Sequence, residues 1–508
     1  MIMNDSKQGK VPHARTWVAA TAVLCVFFTF ALIPGAAAQG NSETSLPGTP
    51  NQTQQNRRYL SLMQTVYDFI LDHYVDEVDP RVVFEGAMNG MFNSLDDPYS
   101  AYLAESDMKD LTDTTQGSFG GVGLNITKAV GQRPDGKPPY VEVASPIEDT
   151  PGWRAGINPG DFIVEIDGVP TETILMDEVL SMLRGTPGTN VRLTIRRGER
   201  MEFPVTLTRE IIEVPTVKHA MIGNIGYLKL LTFTPMTADR ARDAINSFRE
   251  NNYTSLILDL RNNYGGLLNS AVDIADLFLN GGIVVSTKSR IPSENRNFFA
   301  RRNTLVPPDI PVIVLINRGS ASASEIVAGA LKDRGRAFLV GEKSFGKGSV
   351  QQVYPLQNIG TGFRVTTARY YTPSDVNIDR IGIPPDREVN FPEYTEEDAI
   401  KMNDLINSNV IAEFAAENPQ AGTAQVESFA IRLEREYHLD LPLLRRLIRN
   451  ELNRTSIAPV YDLEYDVQLQ EAINILQSGN YPTLMQNTKT LRALQEEAEN
   501  ELPVAMAS

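Results

Sequence analysis

Asn317-Arg318-Gly319-Ser320-Ala321-Ser322-Ala323-Ser324-Glu325-Ile326 joins an apolar run, Val312 to Ile316, to an amphipathic stretch that continues to Leu331. The run reads as a buried strand and the stretch as the start of a helix. Small residues at such a junction let a hydroxyl stand over a helix N-terminus. There the free N–H groups and the dipole favour a developing negative charge. Soon after comes Gly341-Glu342-Lys343-Ser344-Phe345-Gly346-Lys347-Gly348-Ser349-Val350-Gln351, which sets a lysine between two glycines. A small-residue serine turn followed by a glycine-flanked lysine supplies what a Ser–Lys hydrolase needs: a hydroxyl nucleophile, and an amine that sheds its charge when desolvated.

Outward from this junction the same alternation continues over residues 211–392. Ile225 to Leu231 reads as a strand, Thr237 to Phe248 as a helix, Leu256 to Leu260 as a strand, Leu268 to Leu279 as a helix, and Phe338 to Val340 as a further strand. This is an α/β pattern. Within it, Asp259-Leu260-Arg261-Asn262-Asn263-Tyr264-Gly265-Gly266 is a strand end with paired glycines, able to turn a backbone N–H toward a site.

Residues 117–210 read differently. Ser118-Phe119-Gly120-Gly121-Val122-Gly123-Leu124 is a glycine loop entering a strand. The run Ala155 to Gly168, a helix from Val179 to Arg184, and strands Val191 to Arg196 and Glu202 to Thr208 follow. As a phosphate cradle the glycine loop lacks the helix and lysine that it needs. Residues 57–116 are helical, with Leu60, Met63, Val66, Tyr67, Ile70 and Leu71 at helical spacing and Asp96-Asp97-Pro98-Tyr99-Ser100 as a turn. Residues 393–508 read as helical and charged, with amphipathic stretches at Leu443 to Leu452 and Leu469 to Leu476.

The chain begins with what reads as a secretory signal over residues 1–38. Lys7, Lys10 and Arg15 precede the apolar stretch Trp17 to Ile33, and Ala36-Ala37-Ala38 offers a cleavage site before Gln39. The alternative is an uncleaved anchor formed by residues 17–33. Residues 39–56, rich in Asn, Gln, Thr, Ser and Pro, read as a linker. Cys25 is the only cysteine, so a chain that loses this signal has neither a disulfide nor a thiol nucleophile. Leu24 stands where a lipoprotein signal needs a small residue. The net charge of -16 argues against a general nucleic-acid binder and gives no reason to expect an anionic membrane surface as partner. There is no H-E-x-x-H and no G-x-S-x-G, and His13, His73, His219 and His438 lie outside Gly-rich or strand-end contexts. Lysine is then the base left for amide hydrolysis.

The serine turn and the flanked lysine resemble those of the carboxy-terminal processing peptidases, the tail-specific proteases. The similarity extends over residues 57–392. Gly86 to Leu103, Tyr370-Tyr371-Thr372-Pro373 and Gly382-Ile383-Pro384-Pro385-Asp386 also match that family, and residues 117–210 resemble a PDZ domain. The resemblance implies an α/β fold: a crotonase- or Clp-protease-like spiral core at 211–392, an inserted β-barrel-like PDZ domain, and helical N- and C-terminal regions. It implies Ser322 as nucleophile, Lys347 as general base and Gln351 as the side chain that orients the amine. It also implies an oxyanion hole from Gly265 or Gly266 with the Ala323 N–H. Tyr264 stands where the family carries proline, a difference in turn rigidity. Gly121, Val122, Gly123 and Leu124 carry over as the loop that takes a peptide's terminal carboxylate, the peptide adding as a strand. Arg184, at the end of the PDZ helix, is a gating candidate that could link the PDZ unit to the core; otherwise it is a cation favoured at a helix C-terminus. Glu325 is the rival base, read instead as a helix-start carboxylate.

These readings imply an endopeptidase of the periplasm or an equivalent extracytoplasmic space. Its substrates are proteins with free C-termini, and it needs neither metal nor organic cofactor. An adaptor protein, and self-association through the helical terminal regions, are compatible partners; nucleic acid is not. The competing reading is a catalytically silent protein of the same fold that tethers C-terminal tails. A crotonase-type thioester enzyme has no acyl-CoA site to support it.

Overall fold

A computed structural model describes residues 50–128, 139–198, 201–356, 360–392, 394–453 and 460–501. The signal-like segment 1–38 lies outside them. A helix, Pro50–His73, starts inside the stretch expected to be linker, so residues 50–56 are helical. The composition misleads there because Gln, Asn and Arg serve an exposed helix as readily as a linker.

The core grows from strands that are buried throughout. Val312–Ile316 and Ser255–Asp259 are buried at every position, as a parallel sheet covered on both faces requires. The sheet runs in the order Val217–Ile222, Ile225–Leu230, Ser255–Asp259, Val312–Ile316, Phe338–Gly341, Arg387–Glu388. Its first pair is antiparallel and the rest are parallel. Helices Thr237–Glu250, Leu268–Asp276 and Ala323–Asp333 bury Ile245, Phe248, Ile274, Val327 and Leu331 in the main core beside Leu256, Leu258, Val312 and Val314. A second apolar cluster joins Ile257, Ile313 and Leu315 to Leu469, Ala472 and Ile475 of the helix Val467–Gln477. That part of the C-terminal region therefore completes the core. The helices Glu396–Asn407, Val410–Glu417, Thr423–Tyr437 and Leu441–Leu452 instead share an apolar cluster of their own around Leu405, Phe429, Leu433 and Leu444.

A second sheet stands beside the first, in the order Ala101–Leu103, Gly362–Tyr371, Gly282–Ser289, Arg296–Ala300, with Ser349–Pro355 as the hairpin mate of Gly362–Tyr371. Its first strand lies in the region read as wholly helical. Three residues carry no periodicity, and their partners, residues 362–364, are far along the chain. The PDZ unit has its own sheet, Leu124–Lys128, Val141–Pro146, Phe162–Ile166, Asn190–Arg197 and Met201–Thr208 in order, around Val141, Ile163, Ile166, Leu193 and Ile195. The helix Met176–Leu183 adds Val179 and Leu183 to that core. The entry strand Ser118–Gly121 pairs antiparallel with the exit strand Glu210–Glu213, so the chain enters and leaves this unit side by side. Among the described residues no helix is long and apolar enough to cross a membrane.

Candidate active site

The serine turn sits where the central strand Val312–Ile316 meets the helix Ala323–Asp333. Its three hydroxyls differ in what they do. Ser320 Oγ donates to Leu260 O at 2.9 Å, and Ser324 Oγ donates to Asn263 O at 2.7 Å. Both are spent on fastening the turn to the neighbouring strand end. Ser322 makes no side-chain cap bond; its hydroxyl lies against the phenol of buried Tyr370. Ser322 also has φ 55° and ψ -112°, a left-handed conformation that a residue with a Cβ adopts only at a cost of about 1–3 kcal/mol. The surroundings impose it. The Ala321 N–H donates to Asn263 O at 3.1 Å, and the Asn317 and Asn262 side chains lock to each other across the turn, Nδ2 to Oδ1, at 2.9 Å.

Glu325 ties this turn to the lysine segment. Its Oε2 accepts from the backbone N–H groups of Ser322 and of Lys347, each at 2.9 Å. Its Oε1 accepts from Ser344 Oγ at 2.5 Å and from the Gly346 N–H at 2.7 Å. Burial pushes this carboxyl up, against the pull of those four donors. With every lone-pair direction of a 1 % exposed carboxylate taken by a structural donor, Glu325 is a brace that fixes two segments at once.

Lys347 is 5 % exposed. Its ammonium position lies 4.6 Å from the centre of the Tyr99 ring. Burial and, next, the Arg364 guanidinium push its amine down to about 8, with Glu325 and Asp97 pulling the other way. An amine so placed is neutral in a useful fraction near neutral pH, as a general base must be. Gln351, on the strand Ser349–Pro355, is 4 % exposed, and its Nε2 donates to Ser349 Oγ at 3.0 Å and Thr366 Oγ1 at 3.1 Å.

The glycine turn comes up against the same place. A Cβ on Gly265 would stand 2.9 Å from Ala323 N and from Ser322 Cβ, and φ there is 106°, so only glycine fits. The Gly265 N–H donates to Asn263 Oδ1 at 2.9 Å. Of the two glycines, Gly266 is therefore the one whose N–H enters no hydrogen bond among the described residues. Tyr264 is 46 % exposed, so the side chain that replaces the usual proline lies off the packed part of the turn.

The strand end Ser255–Asp259 leads into this turn and is anchored from below. Arg261 grips Asp259 through Nε (2.9 Å) and Nη2 (2.7 Å), and Asp466 through Nη1 and Nη2 at 2.6 Å each. Arg261 and its hydrogen bonds hold the Asp259 carboxyl down at about 2 against its burial.

Away from this cluster, the carbonyls of Val122 and Gly123 accept from the N–H groups of Gly152 and Ile147 at 2.8 and 2.9 Å, which fixes the shape of the loop Gly121–Leu124. Arg184 caps the helix Met176–Leu183, and its guanidinium lies 5.0 Å over the Phe119 ring on the entry strand. Sequence reasoning took Asp96–Ser100 as a plain turn and passed over Thr366 and Arg364. The structure brings Asp97, Tyr99, Thr366 and Arg364 to the Lys347–Gln351 side of the site.

Along about two thirds of its length the chain is similar to known proteases. The chain matches the model of peptidase family S41 over residues 224–389, that of a PDZ domain over 142–197, and that of the activating protease CtpB N-terminal domain over 22–107. It is 42% identical over 349 residues to the carboxy-terminal-processing protease of Bartonella bacilliformis, covering 68% of this chain and 78% of that one. A carboxyl-terminal-processing protease of Synechocystis sp. is 35% identical over 382 residues, 72% of this chain and 87% of the relative. The solved photosystem II D1 C-terminal processing protease shares 31% identity, covering 67% of this chain and 88% of that one at a TM-score of 0.40. The chain belongs to peptidase family S41 and is a serine-type carboxy-terminal-processing protease.

Proposed function

We propose that this peptidase cuts extracytoplasmic proteins near their C-termini with Ser322 as nucleophile, Lys347 as general base and Gln351 orienting the amine. The observation that carries the reading is the shared brace: one buried carboxylate oxygen of Glu325 holds the backbone N–H of both Ser322 and Lys347. The engagement of Ser320 and Ser324 in backbone bonds further favours Ser322 as the hydroxyl that reacts.

In the first half-reaction Ser322 Oγ bonds to the scissile carbonyl carbon while Lys347 Nζ takes its proton. The N–H groups of Ala323 and Gly266 receive the oxyanion. The C–N bond then breaks, and the Lys347 ammonium returns its proton to the leaving amine. In the second half-reaction Lys347 deprotonates a water that attacks the ester, and Ser322 leaves with a proton. Glu325 has no free lone pair for this work and stays a spectator to proton transfer. The PDZ unit takes the substrate's terminal carboxylate at the loop Gly121–Leu124, and the segment 1–38 directs the chain out of the cytoplasm.

Incubation with an unstructured protein such as casein tests the reading against a silent tethering protein. Wild type yields fragments, and Ser322→Ala yields none while it still co-purifies with intact substrate. Undegraded casein with the wild type contradicts the assignment.

A further inference from the structure

We propose that Asp97 is a positioning residue for the general base, acting through Thr366 to set which way the Gln351 amide faces. The inference rests on the reading of Lys347 as base and adds to the site a residue from the N-terminal region.

The argument is a donor count. Asp97 lies in the turn Asp96-Asp97-Pro98-Tyr99-Ser100, between the helix Pro80–Asn93 and the strand Ala101–Leu103. Its Oδ2 accepts from Ser100 Oγ at 2.5 Å and from Thr366 Oγ1 at 2.7 Å, and its Oδ1 from the Tyr99 N–H at 3.0 Å. Burial opposes its charge, yet these donors, with Arg364 nearby, hold the carboxyl below its ordinary range, so it is a pure acceptor at neutral pH. Thr366 has one hydroxyl proton, and Asp97 takes it. Toward Gln351 the Thr366 oxygen can then only accept. The group 3.1 Å away must be the Gln351 NH₂, whose other proton goes to Ser349 Oγ at 3.0 Å. Both amide protons are thereby used, which leaves Oε1 as the acceptor that the amide can offer to the Lys347 amine. A fixed acceptor there pins one N–H of the neutral amine and narrows the directions left to its lone pair, which on this reading serves Ser322.

The turn is held firmly enough for this. The Thr366 N–H donates to Ser100 Oγ at 3.0 Å, and Ala101–Leu103 pairs antiparallel with residues 362–364. Leu103 and Leu111 pack with Leu267, next to the oxyanion glycines, and with Val353, two residues past Gln351. Tyr99, from the same turn, lies against Lys347. The charged and titratable groups around Lys347 are thus Glu325 from the serine helix, Arg364 from the paired strand, and Asp97 and Tyr99 from the turn. Asp379 receives the neighbouring Gly348 N–H at 3.1 Å.

Asp97→Asn keeps the shape but can present an NH₂ to Thr366, which reverses every bond in the relay. The experiment is steady-state cleavage of labelled casein between pH 6 and 10 by wild type, Asp97→Asn, Thr366→Val and Thr366→Ser, with Lys347→Ala as reference. Asp97→Asn is expected to lower plateau kcat about tenfold to a hundredfold with KM unchanged. Its pH midpoint falls below the wild-type value, because a negative charge near the amine is gone. Thr366→Val loses kcat likewise, and Thr366→Ser restores it. The proposal is overturned by an unchanged plateau in Asp97→Asn, even if the midpoint moves, since Asp97 is then only a distant charge. It is equally overturned by a midpoint that rises toward that of ordinary lysine, the sign of a loosened pocket, or by a Thr366→Ser variant as impaired as Thr366→Val. Should Asp97→Asn fail to fold, the Thr366 pair decides alone. Activity in Lys347→Ala instead overturns the Ser–Lys reading itself.

Discussion

Lys347, the proposed general base, illustrates what a residue would give up for chemistry. Its amine is pushed from the ordinary 10.5 down to about 8, chiefly by burial. The folded value lies below the unfolded one, so folding must strip or desolvate a proton-bearing group. The penalty is full below pH 8 and disappears as pH rises past 10.5. Lys347→Met keeps the apolar stem and removes the cost. The variant should be more stable than wild type by about 2–3 kcal/mol near pH 7, with the gain fading toward pH 10, and should have no activity. Urea denaturation at the two pH values checks this. Equal or lower stability at pH 7 would show that the site accommodates the ammonium without strain. Ser322 belongs to the same account, since its left-handed backbone carries a conformational cost that the surrounding bonds must offset.

At the scale of elements, the site hangs on a strand end anchored to a helix more than two hundred positions away in the chain. Asp466 receives two bonds from Arg261 and also caps the helix Val467–Gln477 by accepting from the Leu469 N–H at 2.9 Å. Asp466→Ala removes both functions. It should cost about 2–4 kcal/mol in chemical denaturation and lower kcat, because Arg261 precedes the turn that carries Gly265 and Gly266, the glycines proposed to line the oxyanion site. A loss below about 0.5 kcal/mol, the range of an ordinary surface substitution, would mean that the helix is held by its apolar face alone. Legibility follows the same division. The serine turn, the flanked lysine and the core strands were readable because each is a local pattern of small, apolar or glycine residues. The strand Ala101–Leu103, and the contact between Asp97 and Thr366 across 269 positions, were not, because no local period announces a long-range partner. The paired glycines were legible as a pair. Which of them has a free N–H was not, since that depends on where the Asn263 side chain folds back.

For the whole molecule, the PDZ unit is attached through one antiparallel pair, the entry and exit strands Ser118–Gly121 and Glu210–Glu213. Arg184 stacks on Phe119 of that entry strand, and the Gly185 N–H donates to Gly120 O at 3.0 Å, so the end of the PDZ helix touches the connection itself. If tail binding at the loop Gly121–Leu124 is relayed to the core, these contacts offer a path for it. A substrate with a free C-terminus should then be cut several-fold faster than its amidated form, and Arg184→Ala should shrink that ratio. An Arg184→Ala variant that cleaves both forms at wild-type rates removes Arg184 from the relay. The account as a whole stands on the neutral amine of Lys347, and the pH dependence of cleavage by wild type and Lys347→Ala tests it most directly. Wild-type kcat/KM should rise with pH through a midpoint at about 8 and level off above it, while Lys347→Ala stays inactive throughout. A wild-type profile flat down to about pH 4, or substantial activity in Lys347→Ala, would contradict the account and transfer the role of base to a carboxylate.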